Sequence, residues 1–165
     1  MKYLLWILIM LGIFLMIFGS ASCEEFTMPS KQIQEYITIA HKWFPLASEK
    51  EITIILFMES RYKNIQHKEP CGYSYGLGSV TRSAAWDVCA NYRIIPHRLM
   101  NRQFNVLMVA GYLTLLKNKY GLSADKSIIG YNMGIMKAKK YKITKYLKNY
   151  RHWSKQYDKL ADKKD

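Results

Sequence analysis

Glu59 closes the stretch EITIILFMES, in which six of the seven residues between Glu51 and Glu59 are large and apolar. On a helix, positions i−4 and i−3 share a face with position i, so Glu59 continues the stripe of Ile55 and Leu56 where a core residue would be expected. A carboxyl group among Ile55, Leu56 and Phe57 is desolvated. That disfavours its charged form, raises its pKa and suits it to act as a general acid near neutral pH. The plainer reading is a surface glutamate at a helix end, paired with Arg61 or a lysine. The only other acids between Glu59 and Tyr157 are Glu69, Asp87 and Asp125. Asp125 falls in a helix first turn, where the dipole accounts for it, and Asp87 falls mid-helix between Trp86 and Val88. Glu69, in a loop before Pro70, is the one acid placed to act as a second carboxylate. The four histidines are scattered and no His or Cys cluster has metal-ligand spacing, so neither a metal nor another cofactor is expected.

The elements that must position Glu59 read as helices. Ser30 can cap a helix through about Trp43, which Pro45 breaks. Ser48 and Glu51 form a capping box that launches the helix ending at Glu59. Residues 64–78 contain Pro70, Gly72, Gly76 and Gly78 and read as a loop. A helix over 81–89 follows, then a long amphipathic one over 102–120 with Gly121 as its stop. Ser123 caps another, and the segment from Lys137 to about Trp153 reads as helical and basic. No alternating strand pattern, repeat or linker is evident. The expectation is an all-α fold, one helical domain over 30–153, with a basic tail at 154–165.

Residues 1–22 stand apart. Lys2 precedes an uninterrupted apolar run from Tyr3 to Phe18 and the small residues Gly19-Ser20-Ala21-Ser22, the pattern of a secretory signal peptide. Cleavage after Ala21, lipidation at Cys23 and retention as a membrane anchor are three readings of it, and all imply export. In an oxidising compartment Cys71 and Cys89 become a candidate disulfide, with two free buried thiols as the alternative. The net charge of +13 is concentrated at the C-terminal end, where residues 137–165 carry eleven Lys or Arg against three Asp. That surface favours an anionic partner such as a membrane face or wall polymer. Nucleic acid is the poorest of these for an exported chain.

Four segments then occur in order: MESRYKN, YSYGLGSVTRSAA, NVLMVAGYLTLLKNKYG and IIGYNMG. Together they resemble the lytic transglycosylase (SLT) domain family, which shares its core with goose-type lysozyme. Glu59-Ser60 match the family's Glu-Ser pair, Gly76-Leu77 its Gly-Leu-x-Gln loop, Asn105, Tyr112 and Leu113 its third motif, and Tyr131-Asn132 with Gly134 its Tyr-Asn segment. The resemblance spans roughly Ile33 to Tyr150. Ser79 stands where the family usually has glutamine, Val109 in place of the third motif's glycine, and Gly130 and Met133 in place of alanines.

The resemblance implies a lysozyme-like domain in which Glu59 alone serves as acid and base. It would cleave the bond between N-acetylmuramic acid and N-acetylglucosamine to give a 1,6-anhydro product. Ser60, Ser74, Ser79, Tyr131, Asn132 and Tyr146 are the expected substrate contacts, with Tyr73 and Tyr75 as further rings for sugar faces. The implied partners are peptidoglycan glycan strands, a membrane through the N-terminus, and an envelope or secretion machine. A lysozyme using an activated water, and a weakened wall-binding accessory protein, are the rival readings.

Overall fold

The computed structural model describes residues 25–70 and 72–163. Helix α1, Lys31–Trp43, buries Ile33, Ile37 and Ala40. Ser30 occupies its N-cap but makes no side-chain cap hydrogen bond. Helix α2, Glu49–Ser60, begins with the expected capping box. The Ser48 N–H donates to Glu51 Oε2 at 2.8 Å, and the Glu51 N–H donates to Ser48 Oγ at 3.2 Å. Glu51 also pairs with Lys117 at 2.6 Å, both side chains being largely buried. Every residue from Ile52 to Phe57 is buried, so α2 is the central helix, covered on several sides. It ends where Arg61 turns left-handed at φ 54° and donates its N–H to the Phe57 carbonyl.

The segment after α2 departs from the loop expected there. Strands β1, Ile65–Glu69, β2, Gly72–Gly76, and β3, Val80–Thr81, form an antiparallel sheet in the order β1-β2-β3. Ile65 pairs with Gly76, His67 with Ser74, Glu69 with Gly72, and Ser74 with Thr81. The strands escaped a periodicity reading because most of β1 is exposed and β2 alternates glycine, tyrosine and serine. A polar hairpin has little hydrophobic alternation to detect.

Helix α3, Arg82–Tyr92, is capped by Thr81. Helix α4, Arg102–Asn118, is capped by Asn101 and carries the largest share of the core, including Val106, Met108, Val109 and Leu113. Helix α5, Ala124–Met133, meets the short α6, Ile135–Lys140, at Gly134, whose φ of 82° breaks the run. Helix α7 spans Lys145–Ala161. It thus continues past Trp153, through most of the stretch read as a tail, because Trp153 is an anchor and not an end. The Trp153 ring lies 5.1 Å from Phe57, which lies 4.6 Å from Phe26. These three rings with Ile54 form a second core beneath α7. The described residues are therefore mostly helical with one small sheet, and none of their helices is long and apolar enough to cross a membrane.

Candidate active site

Glu59 sits in the last turn of α2, next to the buried Ser60. The residue as a whole is half-buried. Glu59 Oε1 accepts a 2.5 Å hydrogen bond from the phenol of Tyr146 at the start of α7, and the Ser79 hydroxyl lies close enough to the same carboxyl group to favour its anion. Burial pushes the Glu59 pKa up from its ordinary 4.5. The Tyr146 hydrogen bond and the nearby Ser79 hydroxyl oppose that rise, nearby Glu69 adds to it, and His67 opposes it. Burial and the Glu59 charge hold Tyr146 well above 10, so its phenol stays a neutral donor. Desolvation wins, which is the balance a general acid needs.

The turn between β2 and β3, residues 77–79, carries Ser79 to the acid, and three separate elements fix it. Asn105 of α4 accepts the Gly78 N–H at 2.8 Å and donates to the carbonyls of Tyr75 at 2.8 Å and Leu99 at 3.0 Å. Tyr131 of α5 donates to the Gly78 carbonyl at 2.6 Å. Ser60 of α2 donates to the Leu77 carbonyl at 2.6 Å and to Leu56 at 3.2 Å. A Cβ on Gly78 would stand 2.2 Å from Val109 Cγ2, so only glycine lets the turn lie this close to α4. Ser79 follows at φ 49°, a left-handed conformation that costs a non-glycine residue on the order of 1 kcal/mol. The packed turn holds it there, and the strained position carries a side chain near the Glu59 carboxyl group.

The residues singled out in the sequence divide in this geometry. Glu59 and Tyr146 meet directly, Ser79 lies near the same carboxyl group, and Tyr131 supports the turn bearing Ser79. Ser60 is buried, with its hydroxyl bonded to two backbone carbonyls, so it ties α2 to the turn. Ser74 is buried too, and donates to Glu69 Oε1 at 3.1 Å. Asn132 is exposed near the end of α5. The Tyr73 and Tyr75 rings lie 6.4 Å apart, tilted by 43°, and line a concavity of about 690 Å³ with Gln66, Glu69 and Arg82. Cys89 is a free, buried thiol whose Sγ lies 3.9 Å from Met108 Sδ. Its candidate partner Cys71 lies outside the described residues, as does Cys23.

Two residues that shape the surroundings of Glu59 were not singled out as site residues from sequence. His67 acts electrostatically on Glu59 and is visible only once β1 is recognised as a strand opposite Ser74. Asn105 belonged to a recognised motif, yet its three backbone partners, 6 to 30 positions away, could not be inferred.

Changing Tyr146 to phenylalanine removes a donor that favours the Glu59 anion. The Glu59 pKa should therefore rise further, and the alkaline limb of any Glu59-dependent pH–rate profile should move to higher pH. A profile of the variant unmoved or shifted to lower pH would contradict the hydrogen bond's role.

No known protein-family description matches this chain, and no curated protein matches it. Among solved structures, the chain is similar to the lytic transglycosylase Slt of Pseudomonas aeruginosa, determined as an inactive mutant with glutamine in place of a glutamate. The TM-score is 0.65 at 16% sequence identity, over 78% of this chain and 24% of that one. The chain thus shares its mostly helical fold with a part of that transglycosylase. The chain spans about a quarter of that protein's length.

Proposed function

We propose that this chain is a peptidoglycan lytic transglycosylase with Glu59 as its acid and base. The observation that carries the reading is the Glu59 carboxyl group, raised in pKa by desolvation and held by the Tyr146 phenol, with the Ser79 hydroxyl nearby. Protonated Glu59 donates to the glycosidic oxygen between N-acetylmuramic acid and N-acetylglucosamine as the bond to the anomeric carbon breaks. The substrate's own acetamido group stabilises the oxocarbenium-like centre. Glu59, now ionised, takes the proton of the C6 hydroxyl while that oxygen closes on the anomeric carbon. The product is a 1,6-anhydro sugar and no water is consumed. Tyr146 stabilises the carboxylate formed midway, and Ser79 and Asn132 are the remaining candidate sugar contacts. Export, attachment through the N-terminal segment and service to an envelope machine belong to the same reading.

One observation favours hydrolysis as the second reading. Glu69 is close enough to raise the Glu59 pKa and is held by Ser74, so a second carboxylate is available to activate water. Purified peptidoglycan digested with the protein, and its soluble products identified by mass spectrometry, separates the two. Anhydro-muropeptides are the expected outcome. Reducing-end muropeptides whose release depends on Glu69 would replace transglycosylation with hydrolysis, and no release at all would leave a wall-binding domain.

A further inference from the structure

The segment joining α5 to α7 presents a surface that the chemistry at Glu59 does not use. Residues 134–145 read GIMKAKKYKITK. Lys137, Lys139, Lys140, Lys142 and Lys145 are all exposed, and Lys126 reaches the segment from α5 through the Lys139 carbonyl. No Asp or Glu occurs between Lys126 and Tyr157. The nearest acid in the chain, Asp125, is engaged by Arg151 at 2.5 Å. Lys148, Lys155 and Lys159 extend the positive surface along the exposed side of α7.

Among these cations stand Met136, 81% exposed, Ile143, 57%, and Tyr141, 41%. The segment is not loosely attached. Ala138 and Leu147 are fully buried beneath it, Gly134 sets the break before α6, and Thr144 caps α7 through the Leu147 N–H. The apolar side chains therefore point outward from a backbone pinned on its inner side.

A soluble polyanion would neutralise the lysines but leave Met136 and Ile143 in water. A lipid surface accommodates both features, because apolar side chains enter the boundary between headgroups and acyl chains while lysines meet the phosphates. We propose that residues 134–145 form a docking surface for an anionic lipid bilayer. Met136, Tyr141 and Ile143 enter the headgroup layer and the five lysines supply the attraction. Tyr146, which holds Glu59, follows Lys145 directly, so the docked surface borders the candidate active site. Docking requires no turnover and stands or falls separately from the reading of Glu59.

The test uses the full chain with vesicles of phosphatidylglycerol mixed with phosphatidylcholine, and with vesicles of phosphatidylcholine alone. Amide hydrogen exchange is read peptide by peptide, so that any binding through residues 1–24 is separated from binding at 134–145. The expected result is a several-fold slowing of exchange over 134–145 with the anionic vesicles only. High salt should weaken it, and the double variant Met136→Ser, Ile143→Ser should lose it. A second double variant, Trp43→Ser with Trp86→Ser, removes exposed apolar side chains elsewhere and should behave as wild type. The proposal is overturned if anionic vesicles leave 134–145 unchanged, or if the Met136, Ile143 variant keeps the protection. It is equally overturned if soluble heparin reproduces the full effect, which would make this a polyanion site, or if the tryptophan variant is the one that loses it.

Discussion

Glutamine in place of Glu59 should lower peptidoglycan turnover by about 10³-fold, within the range a positioned general acid contributes, while leaving the fold intact. The substitution keeps the side chain's size, and its amide oxygen can still accept from Tyr146. It removes only the transferable proton. The same variant has a stability signature. The pKa of Glu59 is raised in the folded state above its ordinary 4.5, so between that value and the folded-state pKa the native protein binds more protons than the unfolded chain, and stability falls as pH rises. Glutamine carries no such penalty. Glu59→Gln should therefore match the wild type well below pH 4.5 and exceed it in melting temperature above the folded-state pKa. Melting curves across pH and product release from purified peptidoglycan read the two effects independently. Wild-type turnover by the variant would place the acid elsewhere, and a variant less stable than wild type at neutral pH would contradict the burial argument.

Asn105→Ala should be the most damaging single truncation away from the acid. Asn105 is fully buried and joins β2, the 77–79 turn and the chain before α4 through three hydrogen bonds. Alanine strands one buried N–H and two carbonyls, each costing roughly 1–3 kcal/mol when left unsatisfied. We expect a loss of about 3 kcal/mol or more, a large part of the 5–15 kcal/mol typical of a whole domain. Turnover should fall as well, because the turn that aims Ser79 loses its main support. Tyr131→Phe removes only the bond to the Gly78 carbonyl and should cost about 1 kcal/mol. Urea unfolding of the two variants tests the ranking. An Asn105→Ala loss no greater than that of Tyr131→Phe would show that packing at Gly78, and not the amide, holds the turn.

The anionic-lipid surface adds a spatial element to these expectations. A domain docked through residues 134–145 would work on glycan lying close to the membrane face, whereas an undocked one would act throughout the wall. Vesicle binding and glycan cleavage are separable measurements, and neither result fixes the other.

Several features of the protein were legible in the sequence because they are local. The capping box at Ser48 and Glu51, the apolar helix that ends at Glu59, the long helix starting near Arg102 and the glycine stops all depend on residues within one or two helical turns. The desolvated carboxyl group of Glu59 was legible for the same reason, as a carboxylate continuing an apolar stripe. The hairpin of β1 and β2 was not, because a polar, largely exposed pair of strands leaves no period to read, and its stability comes from pairing and from Asn105 behind it. Ser60 looked like a sugar contact until the Leu77 carbonyl, 17 residues away, was found to occupy its hydroxyl. Tyr146 could be listed as an aromatic ring, but its bond to Glu59 crosses 87 residues, and His67 gained a role only through strand register. The sequence by itself determined which helices form and which carboxylate is anomalous, since propensity, capping and periodicity act over a few residues. Tertiary structure alone decided which hydroxyls face Glu59 and which are consumed by the backbone, since hydrogen-bond partners far apart in sequence are chosen by packing.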